Sequence, residues 1–314
     1  MKILVTGGAG FIGRWVVKRF LDQGFCVQVI DNLSNGSRKN LEEFSSNPGF
    51  KGLFVGDVSK KEDVEAVFKE GFDICVHLAA QINVQESLDF PERAYLNNIA
   101  GTYNILEAAK KQMTKVLVCG TCMVYDLENS TKPIDEKHPV KPKSPYAGSK
   151  IAAEALAESY CLGCGLPVVI VRPFNTYGPF QKANTEGGVV SIFLDKTLKG
   201  QELNIYGDGK QTRDLLYVED CADFIFRAAL SEKAVGKTIN AGAGADISIN
   251  QLAELICNDN SKIKHVPHIH PQSEISKLQC DNRLAKALLG WAPKISLEEG
   301  IAKTRDWLKN READ

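Results

Sequence analysis

A tyrosine and a lysine stand four residues apart in the segment Tyr146-Ala-Gly-Ser-Lys150. On a helix this spacing places both side chains on one face, about one turn apart. A nearby ammonium favours the phenolate form of tyrosine and lowers the pKa of its phenol toward neutral pH. We therefore predict that Tyr146 acts as a base supported by Lys150. The spacing alone is common in helices, so the prediction depends on the segments around it.

A glycine-rich turn near the N-terminus supplies a second pattern. The strand-like run Lys2 to Thr6 leads directly into Gly7-Gly-Ala-Gly10-Phe11-Ile12-Gly13 and then into a helix. The glycines at 7, 10 and 13 permit a tight turn, a close approach of the backbone to a pyrophosphate, and packing of the helix on the strand. The helix N-terminus adds free N–H groups and a partial positive charge. This turn, with Phe11 and Ile12, is therefore predicted to bind a dinucleotide.

An acidic residue indicates which dinucleotide to expect. Asp31 ends the second predicted strand, about 20 residues after the glycines, where a carboxylate accepts hydrogen bonds from both ribose hydroxyls and repels a 2'-phosphate. This favours NAD over NADP, and the positive nicotinamide of NAD adds to the lowering of the Tyr146 pKa. The alternative for Asp31 is a surface residue that caps the loop from Asn32 to Ser37.

Further cofactor contacts are predicted where later strands end. Asp57, with Val58 beside it, is expected near the adenine edge, and small residues after His77 let the chain run close beneath the cofactor. For His77 itself, a packed structural role is favoured over catalysis. The other predicted cofactor contacts are Asn32, Leu78, Ala79, Ala80 and Asn98, together with Tyr146 and Lys150.

Short β-branched runs alternate with amphipathic helical stretches in the first half of the chain, which is typical of parallel βαβ units. Strands are predicted at 2–6, 26–31, 51–55, 74–78, 115–119 and 167–172, and helices at 11–23, 61–69, 91–111 and 145–162. The apolar strands indicate that helices cover both faces of the sheet. The predicted fold is α/β, a Rossmann-type doubly wound parallel sheet with a smaller C-terminal α/β substrate-binding lobe.

The alternation breaks after Arg172, where a stretch rich in proline, glycine and polar residues up to Gly188 predicts a long functional loop. Beyond it, helices are predicted at 189–199, 218–230, 250–257, 282–289 and 297–309, and strands at 202–206 and 237–240. We divide the chain into an NAD-binding domain at residues 1–175 and a mainly substrate-binding lobe at residues 176–314, with some later segments returning to the first domain.

The composition excludes several classes of protein. The 314 residues include 38 basic and 39 acidic side chains, a net charge of −1 that argues against general nucleic-acid binding. The apolar runs are far shorter than a membrane helix, and the N-terminus lacks the pattern of a secretory signal. Nine cysteines, mostly in apolar settings, suit a reducing compartment, so a cytoplasmic protein is expected. No metal site is predicted, since Cys161 and Cys164 have no partner ligands nearby in the sequence.

The sequence resembles the extended short-chain dehydrogenase/reductase superfamily, and within it the NAD-dependent nucleotide-sugar epimerases and dehydratases such as UDP-glucose 4-epimerase. The resemblance covers essentially the whole chain. It is carried by the segments Thr6 to Gly13, His77 to Ala80, Asn98 to Thr102, Tyr146 to Lys150, Arg172 to Asn175, Tyr177 to Pro179, and Arg213 to Val218 with Asp220.

The resemblance implies further roles. Thr121 is the third catalytic residue, whose hydroxyl bonds the reacting sugar oxygen. Asn175 and Arg213 hold the nucleotide diphosphate, for which the planar fork of arginine is well suited, although a structural salt bridge is the alternative for Arg213. Gln81 and Val189 are further predicted substrate contacts. The family also implies a homodimer paired through the helices at 91–111 and 145–162.

The residues after Thr121 bear on which reaction follows oxidation at C4 of the sugar. The usual 4,6-dehydratases have Thr-Asp-Glu there, because water removal needs an acid and a base, whereas this chain has Thr121-Cys122-Met123. Epimerisation needs neither group, so 4-epimerisation of a UDP-sugar is favoured. The alternatives are a 4,6- or 5,6-type dehydratase in which Cys122 is an unusual acid/base, and a reductase or decarboxylase. Cys122 can equally be an inert packing residue.

Two departures from the family leave the substrate open. Asp126 follows Tyr125 where glycine is common, and the segment around His270 lacks the usual arginine that binds diphosphate. His270 is predicted to substitute for it, with His268 or Gln272 as alternatives. A protein that binds dinucleotide only as a redox sensor is disfavoured, because Thr121, Tyr146 and Lys150 are all present.

Overall fold

The structure is a computed structural model that describes residues 1–126, 132–183, 188–257, 259–267 and 276–313. Its largest element is a parallel seven-stranded sheet in the order β10-β6-β5-β4-β1-β2-β3. These strands are β1 (Lys2–Thr6), β2 (Cys26–Asp31), β3 (Phe50–Val55), β4 (Ile74–His77), β5 (Lys115–Cys119), β6 (Val168–Pro173) and β10 (Thr238–Ala241). The strand order reverses between β1 and β4, which in a doubly wound sheet is where a ligand crevice opens.

Helices cover both faces of this sheet. The helices of the described residues are α1 (Phe11–Asp22), α2 (Lys61–Phe68), α3 (Val84–Asp89), α4 (Pro91–Ala94), α5 (Gly101–Gln112), α6 (Pro145–Cys164), α7 (Val189–Leu198), α8 (Val218–Leu230), α9 (Ile249–Ile256), α10 (Arg283–Leu289) and α11 (Leu297–Ala313). One buried core joins the sheet to α1, α8 and α10, and a second joins it to α2, α5 and α6. The predicted Rossmann-type sheet is therefore confirmed.

A smaller lobe lies beside the carboxyl end of the sheet. It contains a three-stranded sheet in the order β11-β9-β7 and the parallel pair β12-β8. Its strands are β7 (Asn175–Tyr177), β8 (Leu203–Tyr206), β9 (Thr212–Tyr217), β11 (Asp246–Ser248) and β12 (Ile263–Val266). Their core packs against α7, α9 and α11, whereas β10 pairs with β6 in the main sheet. Segments after residue 175 thus serve both parts of the molecule.

The prediction of one helix at 91–111 is wrong in a specific way. The segment is α4, then a π-helical stretch at Tyr95–Ala100, then α5. A π turn accommodates an extra residue, and such turns are frequent at functional sites. Here it contains the buried residue Asn98.

Four short strands, β7, β9, β11 and β12, were not predicted from the sequence. β7, β11 and β12 have only three or four residues, too few to reveal an alternating pattern, and the six residues of β9 follow no strict alternation. The pairing of all four strands depends on partners distant in the chain. Within the described residues, no helix combines the length and hydrophobicity that a membrane span requires.

Candidate active site

A cavity of about 690 Å³ opens along the carboxyl ends of the main strands. The predicted site residues that line it are Gly7, Gly10, Phe11, Ile12, Gly13, Asp31, Asn32, Val58, Leu78, Ala79, Ala80, Thr121, Cys122, Tyr146, Lys150, Asn175, Val189 and Arg213. Three other predicted residues, Asp57, Gln81 and Asn98, are outside this lining. His270, with its alternatives His268 and Gln272, lies outside the described residues.

The glycine turn joins β1 to α1 as the sequence predicts. Gly7 has φ +69°, and a Cβ there would lie 2.8 Å from the backbone nitrogen of Ala79. A Cβ on Gly13 would overlap the carbonyl oxygen of Gly7, so the helix can start this close to the strand only with glycine. The N-cap residue Gly10 provides no side-chain cap for the first turn of α1. The backbone N–H groups of this first turn therefore suit a pyrophosphate, and the site fits a dinucleotide.

Asp31 lies at the end of β2 in the cavity wall, where its side chain is only 7% exposed. Its oxygens accept hydrogen bonds from the backbone N–H groups of Ala9 at 3.0 Å and Leu33 at 2.8 Å. Burial raises the pKa of the carboxyl, and these two bonds oppose the rise. The carboxylate is thus held in place beside the glycine turn, where the ribose of NAD would lie. Asp57 stands behind this wall and accepts a hydrogen bond from Asn32 at 3.1 Å.

The carboxyl end of β4 is held by a buried network. The Thr6 hydroxyl accepts hydrogen bonds from the N–H groups of Leu78 and Ala79, and it also pairs with His77 Nδ1 at 2.8 Å. His77 Nε2 lies 3.1 Å from the Thr102 hydroxyl. Burial, together with the nearby positive charge of Lys150, lowers the pKa of His77 to about 3. A neutral histidine with both nitrogens engaged has a structural role.

Gln81 and Asn98 support the site from outside the cavity lining. The Asn98 side chain accepts from the backbone N–H of Gln81 at 2.7 Å, and donates to the Gln81 carbonyl at 3.0 Å and the Ser149 hydroxyl at 2.9 Å. Ser149 in turn donates to the Tyr146 carbonyl at 2.7 Å. The side-chain amide of Asn98 thereby connects α6 to the chain that follows β4. The sequence pattern gave no information on the directions of these two side chains.

Helix α6 carries the tyrosine and lysine. Ser144 caps its first turn by accepting from the backbone N–H of Ala147 at 3.2 Å, and Pro145 occupies the first helical position. The backbone N–H of Tyr146 donates to the Ser87 hydroxyl at 3.0 Å. Tyr146 and Lys150 are 9% and 8% exposed. The start of the helix is therefore fixed with both side chains at the cavity.

Thr121 follows β5 and meets the tyrosine. Its hydroxyl accepts from the backbone N–H of Met123 at 3.2 Å and is hydrogen-bonded to the Tyr146 phenol. Because the N–H of Met123 satisfies one lone pair, the hydroxyl proton remains for a second partner. The structure thus brings Thr121, Tyr146 and Lys150 together, although they come from a strand end and a separate helix.

Burial dominates the protonation of the tyrosine in the protein alone. Burial raises the pKa of the Tyr146 phenol above its usual value, and the bond to Thr121 only partly offsets the rise. Burial also lowers the pKa of Lys150, which Cys119 and Glu154 counteract. In the protein alone, desolvation of the phenolate outweighs its polar contacts. The predicted lowering of the Tyr146 pKa includes the charge of bound NAD and stays a prediction. A lowered pKa then depends on the positive nicotinamide of bound NAD.

Cys122 lines the cavity next to Thr121. Burial, together with the negative charge of Asp214, raises the pKa of its thiol to about 12. The thiol therefore stays protonated at neutral pH and is a poor acid or base. Met123, the next residue, has no proton to exchange. The segment offers no ordinary acid/base pair for water removal.

The opposite wall of the cavity is built by the smaller lobe. We call this the nucleotide wall, and it comprises Asn175, Val189, Asn204, Ile205, Tyr206, Gln211 and Arg213. The strand that carries Arg213 is fixed by Asp214, whose carboxylate accepts from the backbone N–H groups of Ala243, Gly244 and Cys280 at 2.6, 2.9 and 3.0 Å. Burial raises the pKa of Asp214 to about 6.

Part of this wall was missed by sequence reasoning. Asn204, Tyr206 and Gln211 belong to β8 and the turn after it, and they line the cavity beside Arg213. The strand was predicted, and its alternating burial places Leu203 and Ile205 inside and Asn204 and Tyr206 outward. That alternation was the available signal, but nothing in the sequence placed this strand at the cavity.

Comparisons with known proteins agree with this site. The model of the NAD dependent epimerase/dehydratase family matches residues 3–242. A UDP-glucose 4-epimerase of Mycolicibacterium smegmatis is 35% identical over 99% of this chain and 99% of its own. Two solved structures superpose closely. Pal from Bacillus thuringiensis is 55% identical with a TM-score of 0.96, covering 99% of this chain and 100% of Pal. The UDP-glucose 4-epimerase of Thermotoga maritima with UDP-glucose is 33% identical with a TM-score of 0.92, covering 99% and 100%.

The resemblance stated from the motifs is therefore confirmed, and so is the dependence of the family on NAD. Because the family model matches well over half of the chain, this protein belongs to the NAD dependent epimerase/dehydratase family.

Proposed function

We propose that the protein catalyses the 4-epimerisation of a UDP-sugar through a transient 4-keto intermediate. The observation that carries the proposal is the convergence of Thr121, Tyr146 and Lys150 at one cavity, next to a thiol and a thioether rather than carboxyl groups. Relatives named UDP-glucose 4-epimerase match nearly the whole chain and support the same reaction.

The three catalytic side chains divide the proton chemistry. NAD, when bound, supplies reversible hydride transfer at C4 of the sugar. Tyr146 accepts the proton of the C4 hydroxyl during oxidation and returns a proton during reduction. Lys150 favours the phenolate through its positive charge, and the Thr121 hydroxyl donates to the reacting sugar oxygen. The same residues serve both directions, so no second acid or base is required.

Dehydration is the second activity in the name of the family. It requires an acid for the leaving hydroxyl and a base for the C5 proton. With the Cys122 pKa raised to about 12 by burial, and with Met123 beside it, this segment is ill-suited to either task at neutral pH. We therefore favour epimerisation over a dehydratase that uses Cys122.

The nucleotide wall supports a nucleoside diphosphate as the anchoring group. Arg213 provides a planar donor fork for diphosphate oxygens, with Asn175 on the neighbouring strand β7. Tyr206 and Gln211 offer an aromatic ring and an amide to a base. We propose residues 176–314 as the main nucleotide-sugar-binding lobe, apart from the segments around α8, β10 and α10 that pack in the first domain.

We also propose a homodimer in the cytoplasm. Large apolar side chains are exposed along α3 to α6 and the π-helical stretch, including Leu88, Phe90, Tyr95, Leu96, Tyr103 and Leu162. A second copy of the chain would bury such a patch, and all nine cysteines are free thiols, as suits a reducing compartment. Sedimentation equilibrium should give twice the chain mass, and a monomer at micromolar concentration would contradict the dimer.

The test of the function is direct. Purified protein is incubated with UDP-, GDP- and dTDP-sugars, and products are analysed by mass spectrometry and NMR. A product of unchanged mass with inverted configuration at C4 is expected from a UDP-sugar. Loss of water would instead indicate a dehydratase, and loss of carbon dioxide a decarboxylase.

A matched pair of variants links that activity to the site. Tyr146→Phe should abolish turnover, since the phenol oxygen carries the proton. Tyr160 lies on the same helix, and its phenol donates to Glu107 at 2.6 Å, away from the cavity. Tyr160→Phe should therefore keep full activity.

A further inference from the structure

A buried carboxylate shares the helix face of the catalytic pair. Glu154 follows Lys150 by four residues on α6, as Lys150 follows Tyr146, and it is only 3% exposed. A buried carboxylate is expensive unless it is paired and hydrogen-bonded. The proton chemistry proposed above does not use this group, so its burial needs another explanation.

Glu154 makes a close ion pair with Arg172 from β6. The Arg172 Nε donates to the two carboxylate oxygens at 3.2 and 3.0 Å, and its Nη2 donates to Oε2 at 2.6 Å. Arg172 is itself 6% exposed. The pair therefore connects the catalytic helix to the neighbouring strand inside the protein.

The same carboxylate also holds the end of β5. It accepts a hydrogen bond from the backbone N–H of Thr121. A Cβ on Gly120 would overlap Glu154 Oε1, so the carboxylate reaches this position only because residue 120 is glycine. One side chain thus connects the helix that carries Tyr146 to the backbone of the residue whose hydroxyl bonds Tyr146.

Arg172 extends the connection to the segment after Thr121. Its guanidinium carbon lies 4.7 Å from the ring centre of Tyr125, and its side chain hydrogen-bonds the Tyr125 phenol. That phenol also donates to Asn240 Oδ1 on β10 at 2.7 Å. The short segment that bears Thr121 is therefore held at both ends, by Glu154 at its start and by Arg172 near Tyr125.

We propose that Glu154, held by its ion pair with Arg172, is a positioning residue that fixes the Thr121 hydroxyl relative to the Tyr146 phenol. The role rests on the proposed function, because that reaction needs both groups on one sugar oxygen. The carboxylate also counteracts the lowering of the Lys150 pKa by burial. Stability alone is a weak explanation for the pair, since apolar replacements of buried ion pairs are often neutral or stabilising.

Two double variants separate positioning from folding. Glu154→Met with Arg172→Met removes both charges and the acceptor for the Thr121 N–H. Glu154→Gln with Arg172→Met also removes both charges but keeps a side-chain oxygen that can accept from Thr121. The first variant should stay folded and keep its NAD affinity and KM, but lose about 100-fold in kcat, as expected when a reacting group is displaced by about 1 Å. The second should recover most of that loss.

The proposal is overturned if the two double variants have the same kcat, whether wild-type or reduced. If the first variant fails to fold, Glu154→Asp is tested in its place. Its shorter side chain moves the carboxylate away from the Thr121 N–H, while Arg172 is unchanged. We then expect reduced kcat at unchanged KM, and wild-type kcat would contradict the role.

A measurement without substrate distinguishes this proposal from the proposed function. Amide hydrogen exchange of the peptide containing Thr121 should be faster in the Glu154→Met double variant and near wild-type in the Glu154→Gln double variant. Equal exchange in both would refute the hydrogen bond as the positioning contact. Failure of wild-type protein to act on UDP-sugars would refute only the function and leave the exchange result to stand.

Discussion

The two walls of the cavity are made from different parts of the chain. The cofactor wall, comprising Gly7 to Gly13, Asp31 and Leu78 to Ala80, presents mainly backbone at the ends of buried, parallel strands of the seven-stranded sheet. The nucleotide wall presents side chains from β7, β8, β9 and α7, which belong to short sheets and are far apart in the sequence. The first wall has no room for a Cβ at Gly7 or Gly13, whereas the second presents a few side chains to the cavity.

This difference has a physical consequence for mutations. A change in the cofactor wall should disturb the fold and NAD binding together, because the backbone itself is the ligand-binding group. A change in the nucleotide wall should weaken substrate binding while leaving NAD and the fold intact, because one side chain is lost from a supported strand.

The largest effect is expected at Gly13. Gly13→Ala places a Cβ against the carbonyl oxygen of Gly7, and all three nearest atoms are backbone, so relief requires a shift of the backbone itself. We expect NAD affinity to fall by more than about 100-fold, or the folded protein to be lost, as measured by calorimetric titration and thermal unfolding. The control is Gly163→Ala in α6, where a Cβ meets no atom within 4 Å, so stability should be unchanged or slightly raised. Normal NAD binding by Gly13→Ala would contradict the account of this wall.

The next effect concerns Arg213 on the nucleotide wall. Arg213→Met should raise KM for the UDP-sugar by about 10- to 100-fold, the amount expected for loss of charge-assisted bonds to phosphate, with NAD affinity unchanged. Steady-state kinetics and NAD titration measure the two quantities. Arg227→Met is the matched control, since Arg227 pairs with Asp223 at 2.8 Å on α8. An unchanged KM in Arg213→Met would show that the diphosphate binds elsewhere.

His77, which supports the cofactor wall, should give the protein an acid-sensitive stability. Its folded pKa is lowered to about 3 by burial, whereas the unfolded chain binds a proton near its ordinary pKa of 6.5. The free energy of unfolding therefore falls by up to about 1.4 kcal/mol for each pH unit below about 6.5. Above that pH, His77 contributes no pH dependence. Urea unfolding from pH 7.5 to 4.5 should show a shallower acid decline in His77→Asn. An identical slope in both proteins would assign the decline to other groups.

The smallest effect is expected at Cys122, which lies between the two walls. With the thiol pKa raised to about 12, Cys122→Ser should change kcat by less than about threefold, since the thiol takes no part in proton transfer. Iodoacetamide should label the exposed Cys164 in the native protein long before it labels the buried Cys122. The dehydratase would be favoured instead if Cys122→Ser lost activity and the wild type formed a dehydrated product.

The sequence predicted the cofactor wall far better than the nucleotide wall, for a physical reason. Strands β1, β2 and β5 were predicted with the bounds that the structure has, because strands buried on both faces are continuous apolar runs. The glycine turn needs particular residues at fixed spacing, so it is visible in the sequence itself. The short strands around Arg213 have neither property, and only tertiary pairing places them.

Side-chain direction was the other limit of sequence reasoning. Asn98 was predicted to contact the cofactor, but its amide bonds Gln81 and Ser149 instead of lining the cavity, and the π-helical turn that orients it has no clear sequence pattern. Glu154 was missed, although its spacing of four from Lys150 was available. A buried carboxylate can be recognised only when Arg172 and Gly120 are known to face it.

The most direct test of the proposed chemistry follows the hydrogen at C4. Wild-type protein is given UDP-glucose carrying deuterium at C4, and the product is analysed by NMR and mass spectrometry. The account predicts a C4 epimer of unchanged mass with the deuterium still at C4, formed by wild type and Tyr160→Phe but not by Tyr146→Phe. Deuterium lost to solvent, or found at another carbon of a product lighter by one water, would contradict it.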